Sequence, residues 1–290
     1  MHFGFLKVLF LFQPLWMLVY FSACGFMSNK NSDGPIGYDL NHPITIKLPL
    51  ELDEISGIAY YGKDSCVFAI VDESGWLYKI YLNAPREIEK WRFSDKADYE
   101  DLELLDSNFF MLESNGDISV LRFFEGDSLV VNEFKFSKGK GNEFETLFYD
   151  DETQKLMVLC KDCRTDKKKQ VSSFSFDPVT FHYEHTEFRI DVERLAKMTG
   201  ESKLKFKPSA AAINPLSEEL FILSSVNRLL VITDRKGELI NAYRLNKKYF
   251  KQPEGITFME DGTMIISNEA AGDGVANVLV FPFKKHPDKK

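Results

Sequence analysis

The sequence predicts an all-β fold, a five-bladed β-propeller of four-stranded antiparallel blades whose last blade is closed by an N-terminal strand. Three observations predict it. A unit that reads strand, turn, strand, turn, strand recurs five times. The units start at Ser56, Glu100, Glu145, Ser209 and Glu254, at intervals of 44, 45, 64 and 45 residues. A spare strand-like run, Pro43–Leu50, precedes the first unit, while only "KKHPDKK" follows the last strand of the fifth.

The units are 56–82, 100–123, 145–177, 209–234 and 254–283. A fourth strand is expected after each of the first four, at Glu87–Phe93, Ser128–Phe136, Phe181–Ile190 and Glu238–Leu245. These runs mix charged and apolar residues, as an exposed outer edge should. Pro43–Leu50 supplies the missing strand of the fifth blade and removes the open edges of an unclosed ring. The long interval contains Asp191–Lys207, helical in its first part, and a loop around Arg164–Gln170. Both read as insertions at blade rims.

At 290 residues, with 44% hydrophobic and 28% charged residues, the chain suits one large all-β domain. It carries 26 Phe and 11 Tyr. Trp76 and Tyr78, like Phe174 and Phe176, fall at alternate strand positions, and with Tyr81 they are expected to pack between blades. The net charge of −8 without a basic stripe argues against nucleic acid as a partner.

Residues 1–23 read as a signal peptide of lipoprotein type: Lys7, an apolar run, then small residues before a cysteine. Phe21-Ser22-Ala23-Cys24 resembles a lipobox with Phe in place of the usual Leu, and makes Cys24 the expected lipid-attachment residue. Gly25 is not an acid, so inner-membrane retention is not indicated; the expected location is the bacterial outer membrane. Residues 24–41 read as a polar tether, 42–285 as the propeller and 286–290 as a C-terminal tail. Of the other cysteines, Cys160 and Cys163 form "CKDC" after a strand. That context suits buried thiols or a local disulfide better than thioredoxin-like chemistry, which needs a helix N-terminus.

The five starts form a column that places three carboxylates, Glu100, Glu145 and Glu254, and two hydroxyls around one mouth of the central channel. Second strands run antiparallel, so their ends return to the same face. Those ends carry Asp72 with Glu73, Glu113, Asp162, Ser224 with Asn227, and Asn268 with Glu269. Crowded carboxylates repel unless neutralised, and a hard cation held by six to eight oxygens does this well. Calcium is the expected ion, with Glu100, Glu145, Glu254, Glu269, Asp72, Glu113 and Asp162 as candidate ligands. Raised carboxyl pKa values, or Lys161 and Arg228, are the other routes to neutrality. The plainer reading of each acid is a solvated rim charge.

The segments "LDEISGIAY", "ADYEDLEL", "NEFETLFYD", "FKPSAAAINP" and "QPEGITFMEDGTMIISNEA", in this order, resemble the SdiA-regulated family of bacterial envelope proteins over about residues 42–283. The resemblance implies a five-bladed propeller, distantly similar to NHL-repeat and strictosidine-synthase-like propellers, with a calcium site near the channel. Members commonly carry Glu-Gly-Leu in the third unit and a Lys-Glu pair on the next strand. This chain has Glu145-Thr146-Leu147 and Lys161-Asp162, keeping both acids but losing the glycine.

Two functions follow as expectations. The first is a monomeric, lipid-anchored binding module that recognises an envelope protein or small ligand at the channel mouth. The alternative is a calcium-dependent hydrolase of esters, lactones or phosphoesters, with Glu100, Glu145 or Glu269 as base. His182 and His185 belong to an outer strand, His42 precedes the closing strand, and His2 and His286 are terminal. No G-x-S-x-G, HExxH, Walker or Rossmann pattern supports serine, zinc or nucleotide chemistry.

Overall fold

A computed structural model describes residues 34–83, 87–95, 98–124, 128–137, 141–272 and 274–285. The expected signal peptide, Cys24, and tail 286–290 lie outside the described residues. The five units fold into five four-stranded antiparallel sheets. Blade 1 holds β2 (Ile55–Tyr61), β3 (Cys66–Val71), β4 (Ser74–Tyr81) and β5 (Ile88–Arg92). Blade 2 holds β6 (Tyr99–Leu105), β7 (Asn108–Glu113), β8 (Ile118–Phe124) and β9 (Ser128–Phe134). Blade 3 holds β10 (Glu143–Asp150), β11 (Lys155–Asp162), β12 (Gln170–Phe176) and β13 (Tyr183–Asp191). Blade 4 holds β14 (Ala210–Ile213), β15 (Leu220–Ser224), β16 (Leu229–Thr233) and β17 (Leu239–Arg244). Blade 5 holds β18 (Pro253–Phe258), β19 (Met264–Asn268) and β20 (Asn277–Phe281), completed by β1 (Ile44–Lys47). Pairing runs Ile44 opposite Val280 to Lys47 opposite Asn277, so the first strand in sequence closes the ring.

Boundaries depart from the sequence reading where turn chemistry wins. The closing strand stops at Lys47, because Pro49 leads into a 3-10 turn at Leu50–Leu52. The outer strand of blade 3 starts at Tyr183, not Phe181. Asp177 accepts from Val179 N and Thr180 N, and Phe181 sits at φ +59°. The expected rim insertion contains α1 (Val192–Thr199), capped by Asp191 accepting from Arg194 N at 2.9 Å and ended by Gly200 at φ +74°. Among the described residues no helix is long and apolar enough to cross a membrane.

Five apolar clusters fill the spaces between neighbouring blades. Phe68 meets Phe109 edge-on between blades 1 and 2, their centroids 4.7 Å apart. Phe110, Phe144 and Phe176 share the next wedge, and Tyr78 is buried between blades 5 and 1. Strands that diverge from an axis leave wide gaps at the rim, and large rings fill them. Cys160 and Cys163 are bonded, and Cys66 is a buried free thiol pushed up to about 11 by burial.

The second part of the expected tether is docked. Tyr38 and Leu40 are buried in the wedge between blades 4 and 5. The Tyr38 hydroxyl donates to Gly262 O at 2.6 Å and accepts from Asn214 Nδ2 at 2.7 Å. Its ring lies edge-on to Phe221 and Phe283. The polar composition of 24–41 hid these two apolar anchors.

Inner strands of successive blades touch in the order β2, β6, β10, β14, β18 and back to β2. At Gly57 the approach leaves no room for a side chain: a Cβ would overlap Leu102 N and Asp101 Oδ1 of blade 2. Gly57→Ala should therefore destabilise the protein by about 1–3 kcal/mol, read as a lower urea midpoint at constant slope. An unchanged midpoint would contradict the tight blade 1–blade 2 approach.

Candidate functional site

The acidic column sits at a recurring fault in the ladders. In blade 2, Tyr99 pairs with Glu113 and Asp101 with Leu112, so Glu100 is skipped. In blade 3, Phe144 pairs with Cys160 and Thr146 with Leu159, which skips Glu145. In blade 5, Pro253 pairs with Asn268 and Gly255 with Ser267, skipping Glu254. Blade 1 shows the same break between Ile55 and Ile58. A bulged residue leaves the ladder, and its side chain is re-aimed. Each glutamate is thus released from the sheet where the inner strand begins, at one mouth.

Residues just beyond the bulge tie blade to blade. Inner strands present N–H groups that no fifth strand can accept. Buried Asp101 accepts from Leu147 N of blade 3 at 2.7 Å and from Leu102 N at 2.8 Å. Glu103 accepts from Tyr149 N at 3.1 Å. Thr257, the equivalent residue of blade 5, accepts from Tyr60 N of blade 1 at 3.2 Å. Burial holds Asp101 well above the ordinary carboxylate range and lifts Glu103 to about 7. A Cβ on Gly255 would overlap Ser267 Oγ and crowd Ser56 O of the next blade. The glycine of the Glu-Gly pair thus admits a neighbouring blade, and Thr146 in blade 3 is fully buried in its place.

Main-chain bonds also run around the mouth. Ala270 N of blade 5 donates to Asp53 O at 2.8 Å, Asp98 N of blade 2 to Asp72 O at 2.7 Å, and Phe144 N of blade 3 to Ser114 O at 2.9 Å. This belt fixes the loops that carry the acids. Among the described residues no such main-chain bond joins blade 4 to blade 3 or to blade 5 at the mouth.

Asp72, Glu100, Glu254 and Glu269 form one electrostatic group. Burial lifts Glu100 to about 7; Lys161 pulls it down, and Asp72, Asp98 and Glu254 push it up. Burial also lifts Glu254 to about 7, against hydrogen bonds from Gln252 and Ser225 and the pull of Lys161. Glu269 reaches about 9 through burial, a carboxyl–carboxylate hydrogen bond with Glu54, and the charges of Glu254, Glu54 and Asp72. Asp72 is raised by burial first, then by Asp98, Glu54 and Glu73. Glu145 joins through its ion pair with Lys161, the cation that acts on Asp72, Glu100 and Glu254 alike.

Two expected members lie elsewhere. Asp162 is exposed and pairs with Lys207 at 3.3 Å. Glu113 is buried, and its charge acts on Lys135 and Tyr183 rather than on the mouth acids. Arg228, the other expected neutraliser, sits in the β15–β16 turn, where Arg228 N donates to Ser225 O at 3.2 Å. Sequence reasoning missed Glu54, Asp98 and Gln252. A signal for them exists: two residues before the column stand Glu54, Asp98, Glu143, Lys207 and Gln252, all polar. Four of the five stand just ahead of their inner strand, in the lead-in segment at the mouth.

Such a ring, with carboxylates delivered to one end of its axis by bulges, defines a β-propeller with an acid-lined channel mouth. The sequence profile of the SdiA-regulated family matches residues 41–272, and the chain belongs to that family. No curated protein matches the sequence. The fold is similar to that of a luciferin-regenerating enzyme, at 9% identity and TM-score 0.50, covering 83% of this chain and 95% of that one. Regucalcin from Agrobacterium tumefaciens, described as a calcium-binding protein, aligns at 11% identity and TM-score 0.45 over 87% and 96% of the two chains. Virginiamycin B lyase from Staphylococcus aureus aligns at 11% identity and TM-score 0.43 over 84% and 75%. At these identities the likeness extends to the fold alone.

The raised carboxyls make a signed prediction for protein kept in chelator. Between about pH 4.5, where glutamates of the unfolded chain ionise, and the folded values of about 7 and 9, the native state holds more protons than the unfolded state. Stability should therefore fall as pH rises through this window, measured as urea midpoints from pH 5 to 9. Glu269→Gln should flatten the stretch between pH 7 and 9. A profile that rises with pH would contradict the crowding.

Proposed function

We propose that this protein is a calcium-binding, extracytoplasmic recognition module, held at the envelope membrane through a lipid on Cys24, with the acidic mouth as its ligand site. One observation carries the reading: Asp72, Glu100, Glu254 and Glu269, with Glu54 and Asp98, converge on one mouth around a single shared lysine. The donor set suits a hard cation in kind; among the described residues no three of its carboxylate oxygens lie within 4.8 Å of one another, so binding would draw the side chains together. The set is all oxygen, anionic in excess, half-buried and seated on loops that main-chain bonds hold in place. Asn268 adds a buried side-chain carbonyl oxygen beside Glu269 that receives no hydrogen bond among the described residues.

Glu254 and Glu269 are the central ligands in this reading, supported by Asp72, Glu100 and Glu54. Gln252 donates to Glu269 and orients it. Lys161 holds Glu145 back and offsets part of the remaining charge. The bound ion would supply a positive point for an oxygen atom of the ligand. A hydrolase would need a base outside the ligand set, and Glu145, the candidate left over, is occupied by Lys161.

Calcium binding should raise the melting temperature, since it favours the native state alone. At 100-fold excess over Kd the gain is about 2.7 kcal/mol, or about 5–10 °C for a domain of this size. Glu254→Gln/Glu269→Gln should abolish the shift, while Glu113→Gln and Asp162→Asn should keep it. Titration calorimetry with calcium and magnesium, beside melts in chelator, measures this. No heat and no shift with either ion would reduce the mouth to a proton-sharing acidic rim.

A further inference from the structure

The mouth is acidic towards blades 1, 2 and 5, yet a basic cleft opens beside it on the side of blades 3 and 4. Its walls are the β11–β12 loop and the segment 205–207 that leads into β14. Lys161, Lys168, Lys205 and Lys207 line it, with Gln170. Its floor is apolar, formed by buried Val192 and Phe206. The volume is about 140 Å³. At ~30 Å³ per water that is room for about four or five waters, the bulk of a tetrahedral oxyanion with a short substituent.

The charge balance of the cleft is unequal. Asp166 also lines the cleft; its buried carboxylate accepts from Gln170 Nε2 at 3.1 Å and from Ser172 N at 3.0 Å and has no ion-pair partner among the described residues. Asp162 is matched by Lys207 at 3.3 Å. Lys161 is matched by Glu145. Lys168 and Lys205 are exposed and have no carboxylate partner among the described residues. Set against Asp166, they leave one positive charge in excess around a concave pocket, in a chain of net charge −8.

Continuity with the mouth gives the cleft its meaning. Lys161 lines the cleft and also acts on Asp72, Glu100 and Glu254. Lys207 lines the cleft and stands in the lead-in to β14, two residues before the position that matches the mouth glutamates. The cleft also lies between blades 3 and 4, on one of the two sides of blade 4 that the belt of main-chain bonds does not cross among the described residues. The Cys160–Cys163 bond fixes one wall.

We propose that this cleft is an oxyanion site that holds the phosphate of a phosphate-monoester or phosphodiester ligand, whose remaining oxygens reach the channel mouth. Ammonium groups on one side and an ion-binding carboxylate group on the other suit a phosphorylated polyol. The charge-assisted bonds fix the phosphate, and the mouth reads the hydroxyls. The cleft itself depends only on the lysines; the reach to the mouth rests on the reading of the mouth as a cation site.

The test is calorimetric titration of the purified protein with glycerol phosphate, with glycerol as the uncharged control, in calcium and in chelator. A second arm uses phosphatidylglycerol vesicles against phosphatidylcholine vesicles and tells a lipid headgroup from a free ester. The expected result is binding of glycerol phosphate or of phosphatidylglycerol that Lys168→Ala/Lys205→Ala weakens about tenfold or more. Calcium affinity should stay within about threefold, since neither residue touches the mouth acids. Both lysines are exposed, so the variant should fold, and an unchanged melt in chelator checks this. Phosphate binding that survives in chelator, or in Glu254→Gln/Glu269→Gln, supports the cleft even where the cation reading fails. Calcium binding without phosphate binding in either arm, or phosphate binding indifferent to the two lysines, overturns the proposal and leaves the cation reading intact.

Discussion

Ring closure is the constraint on which the molecule depends. Every blade needs a neighbour on both faces to bury its rings, and the fifth blade lacks its own outer strand. β1 supplies it by pairing with β20, which joins the two ends of the sequence in one sheet. Closure also sets the inner strands so close that their outward N–H groups find acceptors only on the adjacent blade. Asp101, Glu103 and Thr257 serve as those acceptors. Carboxyl groups are therefore part of the scaffold before any of them is a candidate ligand.

The same geometry creates the crowding at the mouth. A strand that stayed in register would keep its side chains between blades. The repeated bulge releases one residue per inner strand, and in three blades that residue is a glutamate. Like charges then stand close together in a partly dry place, where water screens them poorly. The structure answers with shared protons, with Lys161 and with fixed loops. An ion at the same place would replace the protons by a stronger neutraliser, which makes carboxyl titration and cation affinity two readings of one repulsion.

Much of this was legible in the sequence. The interval of 44 or 45 residues and the alternation of apolar positions are sufficient for blade number, strand order and the closing strand. The column of Glu100, Glu145 and Glu254 was visible because the bulge recurs at the same place in each repeat. What was hidden is the partnering across blades. Glu113 and Asp162 end their strands on the mouth's face, as strand direction requires, but their surroundings turn them to Lys135 and Lys207. No pattern within one repeat encodes that choice. Glu54 and Asp98 were overlooked because they precede the apolar run, outside the part of the unit that defines a strand. The docking of Tyr38 was hidden by the polar residues around it: two anchors in a short segment make no period.

The docked segment has a directional consequence. β1 starts at Ile44, level with the outgoing end of β20, and finishes at Lys47, level with the mouth. Tyr38 and its partners Gly262, Phe258 and Phe283 gather at the opposite pole of the ring. The segment from Tyr38 to Leu40 is therefore held at the pole that the acids do not occupy. Lys284 N donates to Gly37 O there at 2.9 Å, so the first and last described segments are buttoned to each other outside the sheet as well as within it, and loosening either one would loosen both.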